Sequence, residues 1–253
     1  MRLTICHLYP DLMNIYGDRG NIIALVQRAR WRGIETEVVP VTIGDVLDPE
    51  RCDILFFGGG QDKEQFIVAE DLRTVQAPQL HRLVEDGGVV LSICGGYQLL
   101  GSSFRTHTGE VLEGIGLFDA WTVAGNKRCI GNVIVEAGFT GVLRTLVGFE
   151  NHSGKTYLGP GCQPMGRSLV GFGNNGEDGT EGAMYRNAFG CYLHGSLLPK
   201  NPWFTDYLIL TALRRRHGPD VELAPLDDTL ENRAHDAMET RIRRLGRIDS
   251  GVV

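Results

Sequence analysis

A cysteine occupies the most informative position in the chain, within Val89-Val90-Leu91-Ser92-Ile93-Cys94-Gly95-Gly96-Tyr97-Gln98-Leu99-Leu100-Gly101. The short apolar run reads as a buried strand and the following residues as a helix, so Cys94 falls on the tight turn between them. A corner of this kind lifts the side chain above the sheet edge. The missing side chains of Gly95 and Gly96 leave room for a substrate, and the helix N-terminus favours a thiolate. The backbone N–H after the cysteine points to where a tetrahedral oxyanion would form. This pattern suits nucleophilic attack on a carbonyl carbon. The other five cysteines (Cys6, Cys52, Cys129, Cys162 and Cys191) lack such surroundings and form no CxxC pair, so they read as structural thiols and no metal site is expected.

A thiol nucleophile needs an imidazole to take its proton and return it to the leaving amine. Of seven histidines, two have a suitable setting. His194 follows the strand-like Ala188-Phe189-Gly190-Cys191-Tyr192-Leu193 and precedes Gly195, which leaves space beside it. His152, in Phe149-Glu150-Asn151-His152-Ser153-Gly154, is its rival. Gly58-Gly59-Gly60 follows another apolar run and would reach the same sheet edge, where its amides can offer a second oxyanion donor.

The elements that must carry these groups can be read from spacing. Residues 2–8 predict a first strand, and Ile22, Leu25, Val26 and Ala29 have helical period up to Gly33. Residues 34–41, 53–57 and 88–93 predict further strands, the last two as continuous apolar runs. Strands alternating with helix-length segments imply an α/β fold in which a largely parallel sheet is covered by helices on both faces. From about Trp121 the texture becomes strand-rich: 130–135, 146–149, 169–172 and 188–193 predict strands between Gly- and Asn-rich turns. The tract 173–179 reads as a turn at a hairpin tip or mobile loop. A helix is expected from Pro202, capped by Asn201 and closed by Arg214, Arg215 and Arg216 before Gly218. A last helix from Asp227-Asp228-Thr229 would place Leu230, Ala234, Met238, Ile242 and Leu245 on one side. Residues 1–200 are expected to form the main domain, with 201–253 as a helical extension packed on it.

Composition sets the outer limits. With 253 residues, 42% hydrophobic, the chain can bury a full core. The 25 basic against 31 acidic residues give a formal charge of −6, which disfavours nucleic acid as a partner. The N-terminal segment lacks the long apolar stretch of a secretory signal and no segment approaches membrane-spanning length, so a cytoplasmic protein is expected.

Taken together, Cys94-Gly95-Gly96-Tyr97-Gln98-Leu99-Leu100-Gly101, Gly58-Gly59-Gly60-Gln61-Asp62 and Tyr192-Leu193-His194-Gly195 resemble the class I glutamine amidotransferases of the cobyric acid synthase type. Asn14-Ile15-Tyr16-Gly17-Asp18-Arg19-Gly20-Asn21, Arg128-Cys129-Ile130-Gly131-Asn132 and Gly148-Phe149-Glu150-Asn151-His152 extend the likeness over residues 1 to 200. They resemble the branch of glutaminase subunits that serve lipid II amidation. The resemblance implies the three-layer fold of that family and a chemistry in which Cys94 attacks the side-chain amide of L-glutamine to form a γ-glutamyl thioester. His194 would act as base and acid, then activate water. It further implies that Arg128 binds the substrate, for which a guanidinium suits the α-carboxylate. Gly59, Gly60, Gly95 and Gln98 complete the implied substrate site. The wider range of glutamine amidotransferases commonly carries a carboxylate two residues after the histidine, whereas Ser196 stands there in this chain. A Cys-His dyad, or a carboxylate from elsewhere such as Glu150 or Asp18, must orient the imidazole.

Ammonia released from glutamine needs an acceptor and, for condensation with a carboxylate, ATP. Gly154-Lys155-Thr156 ends like a phosphate loop, but the glycine required at position 149 is Phe149. No cofactor is therefore expected in this chain, and ATP and Mg are expected on a partner. The resemblance implies that this partner is a Mur-ligase-like subunit, which would contact lipid II and convert its D-glutamate to D-isoglutamine. The alternatives are an amidotransferase for cobyrinate or another cofactor, and a stand-alone cysteine peptidase or γ-glutamyl hydrolase.

Overall fold

The computed structural model describes residues 1–246 of the 253. Its first half alternates strand and helix: β1 (Arg2–Leu8), α1 (Arg19–Arg30), β2 (Glu35–Val41), β3 (Ile54–Phe57), α2 (Asp62–Asp71), α3 (Ala77–Glu85), β4 (Val89–Ile93) and α4 (Gly95–Leu100). A π-helical turn, Leu72–Gln76, joins α2 to α3. The second half comprises β5 (Ser103–Arg105), β6 (Val111–Glu113), β7 (Ala120–Ala137), β8 (Arg144–Leu158), β9 (Gly166–Val170), β10 (Thr180–Glu181), β11 (Ala183–Tyr185), β12 (Ala188–Cys191), α5 (Leu197–Lys200), α6 (Pro202–His217) and α7 (Thr229–Leu245).

The first sheet runs β11-β12-β4-β3-β1-β2 and is parallel except for β11. Its inner strands β3, β4 and β12 are buried at every residue, as their unbroken apolar runs require, whereas edge strand β2 is half exposed and tolerates Pro40. Helices α1 and α6 pack against this sheet and against each other. Because the strands are parallel, the turns after β1, β3, β4 and β12 emerge at one rim.

The second sheet, β10-β9-β7-β5-β6 with β8 on β7, is mostly antiparallel. Its backbone is a hairpin of 18- and 15-residue strands, far longer than the segments 130–135 and 146–149 expected from sequence. The polar stretch Gly125-Asn126-Lys127-Arg128 forms a bulge, where the register shifts between Ala124 and Cys129 and the ladder continues. The strand expected at 169–172 lies earlier, at β9. The 173–179 tract is a turn, though a pinned one: Asn174 is fully buried and exchanges hydrogen bonds with Gly182, while Asn175 Nδ2 donates to Thr156 O.

Two helix expectations change in detail. Asn201 does not cap α6 with its side chain; its amide instead bonds both backbone groups of Val147 and the Leu197 carbonyl, tying α5 to β8. Along α7 only Ile242 of the expected stripe is buried, against Ile134 and Val147, while Leu230 and Leu245 face solvent. Polar contacts of His235 and Glu239 with Thr145 hold the helix instead. Residues 247–253 of the expected extension lie outside the described residues.

Candidate active site

Cys94 follows β4 with φ 50° and ψ −108°, a backbone conformation that residues other than glycine rarely adopt. The strain belongs to the corner the sequence predicts. Behind it, Gly96 must be bare, because a Cβ there would come within 2.7 Å of the Phe57 and Gly58 carbonyls. The helix thus starts hard against the turn that follows β3.

His194 arrives at the same rim three residues after β12 and is fully buried. Its backbone is bridged to Phe149 of β8, with His194 N donating to Phe149 O at 2.7 Å. Asp18, also fully buried, places Oδ1 3.4 Å from His194 Nδ1. Nε2 of the ring has no nitrogen or oxygen partner among the described residues, and Cys94 is the group whose charge and hydrogen bond reach the imidazole. Burial opposes the imidazolium, but the negative charge of Cys94 and then the Asp18 carboxylate outweigh it, so the pKa of His194 is pushed up to about 10. The arrangement is a cysteine and a buried imidazole with a carboxylate beside the ring.

Ser196, two residues after the histidine, donates its hydroxyl to Gly17 O. Gly20 lies so close that a Cβ would meet Ser196 Oγ at 2.1 Å. Ser196 therefore secures the loop that delivers Asp18. Glu150 is engaged elsewhere, where its carboxylate accepts the N–H groups of Phe172 and Gly173 at 2.7 and 3.0 Å and lies 3.8 Å from His152 Nε2. His152 itself lies flat on Tyr192, ring centroids 3.6 Å apart, with Nδ1 2.7 Å from Gly154 O.

The glycine triplet divides its roles. Gly59 N–H donates to Asp18 Oδ2 at 2.7 Å, so it braces the carboxylate. The Gly60 amide lies beside Gly95, where an added Cβ would be 2.9 Å from Gly60 N. The backbones of Gly60 and Gly95 thus lie against each other, and Gly60 shares the cavity wall with Cys94. Gln98, nearly buried on α4, donates to Tyr192 OH at 3.1 Å and accepts from Gln65 Nε2 at 3.2 Å.

These groups border a cavity of about 710 Å³ whose wall includes Cys94, Gly60, Gln98, Tyr16, Arg128 and Asn151. Arg128 reaches it from the bulge of β7, and its Nε donates to Asn151 Oδ1 at 2.9 Å. Of the residues singled out from sequence, Cys94, Gly60, Gln98 and Arg128 share this wall, Gly95 lies beside Gly60, and His194 and Gly59 stand behind it. Sequence reasoning does not single out Tyr16, Gln65, Asn151 or Tyr192 as site residues. Tyr16 and Asn151 fall inside the motifs that carry the family likeness, but nothing in their spacing says that they meet.

Residues 4–202 match the model of the CobB/CobQ-like glutamine amidotransferase domain. The chain is 42% identical to the lipid II isoglutaminyl synthase (glutamine-hydrolysing) subunit GatD of Staphylococcus aureus, over 96% of this chain and 97% of that one. To the subunit of the same description from Streptococcus pneumoniae it is 41% identical, over 90% and 87%. A glutamine amidotransferase from Thermotoga maritima, of solved structure, is 15% identical with a TM-score of 0.52, over 96% of this chain and 93% of that one; this likeness concerns the fold. With its cysteine corner, its sheet order and a match that spans most of its length, the chain belongs to the CobB/CobQ-like glutamine amidotransferase family and has the α/β class I fold of those enzymes.

Proposed function

We propose that this chain hydrolyses L-glutamine through Cys94 and His194 and supplies the ammonia to an ATP-dependent, Mur-ligase-like partner that amidates the D-glutamate of lipid II. The observation that carries the hydrolytic step is the convergence of a strained Cys94, an Asp18-bound His194 and the Gly60 and Gly95 amides on one rim, beside the cavity that Arg128 enters. Support for the acceptor comes from the full-length likeness to two subunits of that description.

The thiolate of Cys94 attacks the γ-carbonyl carbon of glutamine, and the oxyanion forms between the two amides. His194 donates its Nε2 proton to the nitrogen as the C–N bond breaks, and ammonia leaves. Acylation removes the negative charge of Cys94, a main support of the imidazolium, so His194 becomes the stronger acid and reaches its neutral form. Neutral imidazole then takes a proton from water, hydroxide character attacks the thioester, and glutamate departs as the thiolate returns. The same charge change thus converts His194 from acid to base between the half-reactions. Asp18 keeps the ring orientation fixed throughout.

Arg128 holds the α-carboxylate. ATP and Mg belong to the partner, which also contacts the lipid. No helix among the described residues is long and apolar enough to cross a membrane.

The test is ammonia release from glutamine, with and without a co-expressed Mur-type ligase. Cys94→Ala is expected to abolish release while retaining the fold. Unchanged release would remove Cys94 as nucleophile, and co-purification with a corrin-amidating synthetase would remove lipid II as the acceptor.

A further inference from the structure

Tyr16 lies in the loop between β1 and α1, at φ 53°, in the left-handed region that a tyrosine occupies only when its surroundings hold it there. It is 46% exposed and forms part of the cavity wall. Its ring stands edge-on to the His194 imidazole, centroids 4.9 Å apart. The hydroxyl oxygen accepts a hydrogen bond from Asn151 Nδ2 at 2.9 Å, and Asn151 Oδ1 accepts one from Arg128 Nε at 2.9 Å.

The direction of this chain of bonds is forced. A guanidinium can only donate, so Asn151 turns its oxygen to Arg128 and its nitrogen to Tyr16. The tyrosine oxygen must then accept, which leaves its own proton for another group. Arg128, Asn151 and Tyr16 border the same cavity as Cys94.

We propose that Tyr16 is a positioning residue that links occupation of Arg128 by the carboxylate end of an amino-acid amide to the covering of His194. The inference rests on the glutamine-hydrolysing reading and adds a group that reads the far end of the substrate. A carboxylate on Arg128 meets the Tyr16 O–H as a second donor, and a charged acceptor makes that bond stronger than a neutral one. So held, the ring keeps bulk water from the imidazole while ammonia is expelled. A substrate without the carboxylate leaves the ring secured by Asn151 alone. Substrate recognition therefore strengthens a cover that already buries the imidazole.

The test compares kcat/KM for L-glutamine with that for 4-aminobutanamide, which is glutamine without its α-carboxylate, using the full chain together with its ligase. Tyr16→Phe retains the ring and loses the hydroxyl. It is expected to lower kcat/KM for glutamine about three- to tenfold and that for the truncated amide less than about twofold. Asn151→Ala should reduce the glutamine value similarly, and the double variant should be little worse than either single one. Inhibition constants of L-glutamate and 4-aminobutanoate provide the same comparison without turnover. Equal losses on both ligand types, unchanged glutamine kinetics in Tyr16→Phe, or additive effects of the two substitutions overturn the proposal. Failure of the glutaminase reading would show itself differently, as wild-type protein that releases no ammonia from glutamine.

Discussion

Asp18 serves His194 and the glycine turn with one carboxylate: Oδ1 lies 3.4 Å from the imidazole Nδ1, and Oδ2 takes the Gly59 N–H at 2.7 Å. The orientation of the imidazole and the position of the glycine turn are thus fixed by the same side chain, although Asp18 and His194 are separated by 176 positions. Asp18→Asn retains the size and removes the charge. We expect kcat for glutamine to fall roughly 10- to 1000-fold, with the alkaline limb of the rate profile moved to lower pH because one support of the imidazolium is gone. An unchanged alkaline limb in the variant would exclude Asp18 as the group that orients His194.

On the proposed mechanism the raised pKa of His194 sets the upper pH limit of the free enzyme. The imidazolium must be present to protonate the departing nitrogen, so kcat/KM is expected to hold through roughly pH 9. It should then fall as pH approaches about 10. A titration of the histidine ring by NMR in Cys94→Ala should show the pKa well below that, because the thiolate charge has been removed. A profile that already falls at neutral pH would contradict the thiolate-imidazolium pair.

Gly95 has almost no free space at its α-carbon, since a Cβ would come within 2.9 Å of both Gly60 N and Gly60 O. Gly95→Ala is expected to push the two amides apart and reduce kcat by about 100-fold or more, while circular dichroism stays native. If the variant retained wild-type kcat, these amides would not form the oxyanion site.

Glu181 offers a test of stability rather than activity. It is buried, its Oε1 accepts the Tyr192 N–H at 2.6 Å, and burial, aided by the nearby Glu150 charge, pushes its pKa up to about 8 from the usual 4.5. Between those two values the folded chain holds a proton that the unfolded chain has lost, so stability falls as pH rises through this window. Glu181→Gln does not titrate. Its advantage over wild type should be small below the window and grow to a few kcal/mol, on the order of magnitude of the shift, above it. Denaturant midpoints at both ends measure this, and a constant difference would show that Glu181 is ionised throughout.

The legible part of the fold is the part written in continuous apolar runs. β1, β3, β4 and β12 are central and shielded, so their sequences are largely apolar, and the Cys94 corner follows from one of them. The β7-β8 hairpin is harder to read because its middle crosses the cavity mouth, where Asn126 and Arg128 are polar beside the site, and a bulge absorbs the polar stretch. α7 misleads in the opposite sense: its apolar stripe has helical spacing, but contact with β7 and β8 buries only Ile242. In the site, Cys94 and His194 are visible because each follows a strand. Asp18 is one of two options by sequence, since nothing local distinguishes it from Glu150; only the parallel order of β1, β3, β4 and β12 brings its loop to the histidine. Tyr16 and Asn151 meet across the two sheets, a relation with no sequence period to announce it.

The unusual backbone angles of residue 94 set durability against chemistry. A glycine there would adopt φ 50° without steric penalty, whereas for a cysteine the same angle costs about 1–3 kcal/mol. On the proposed mechanism, selection for heat resistance alone would therefore favour a glycine at this corner and an inert chain.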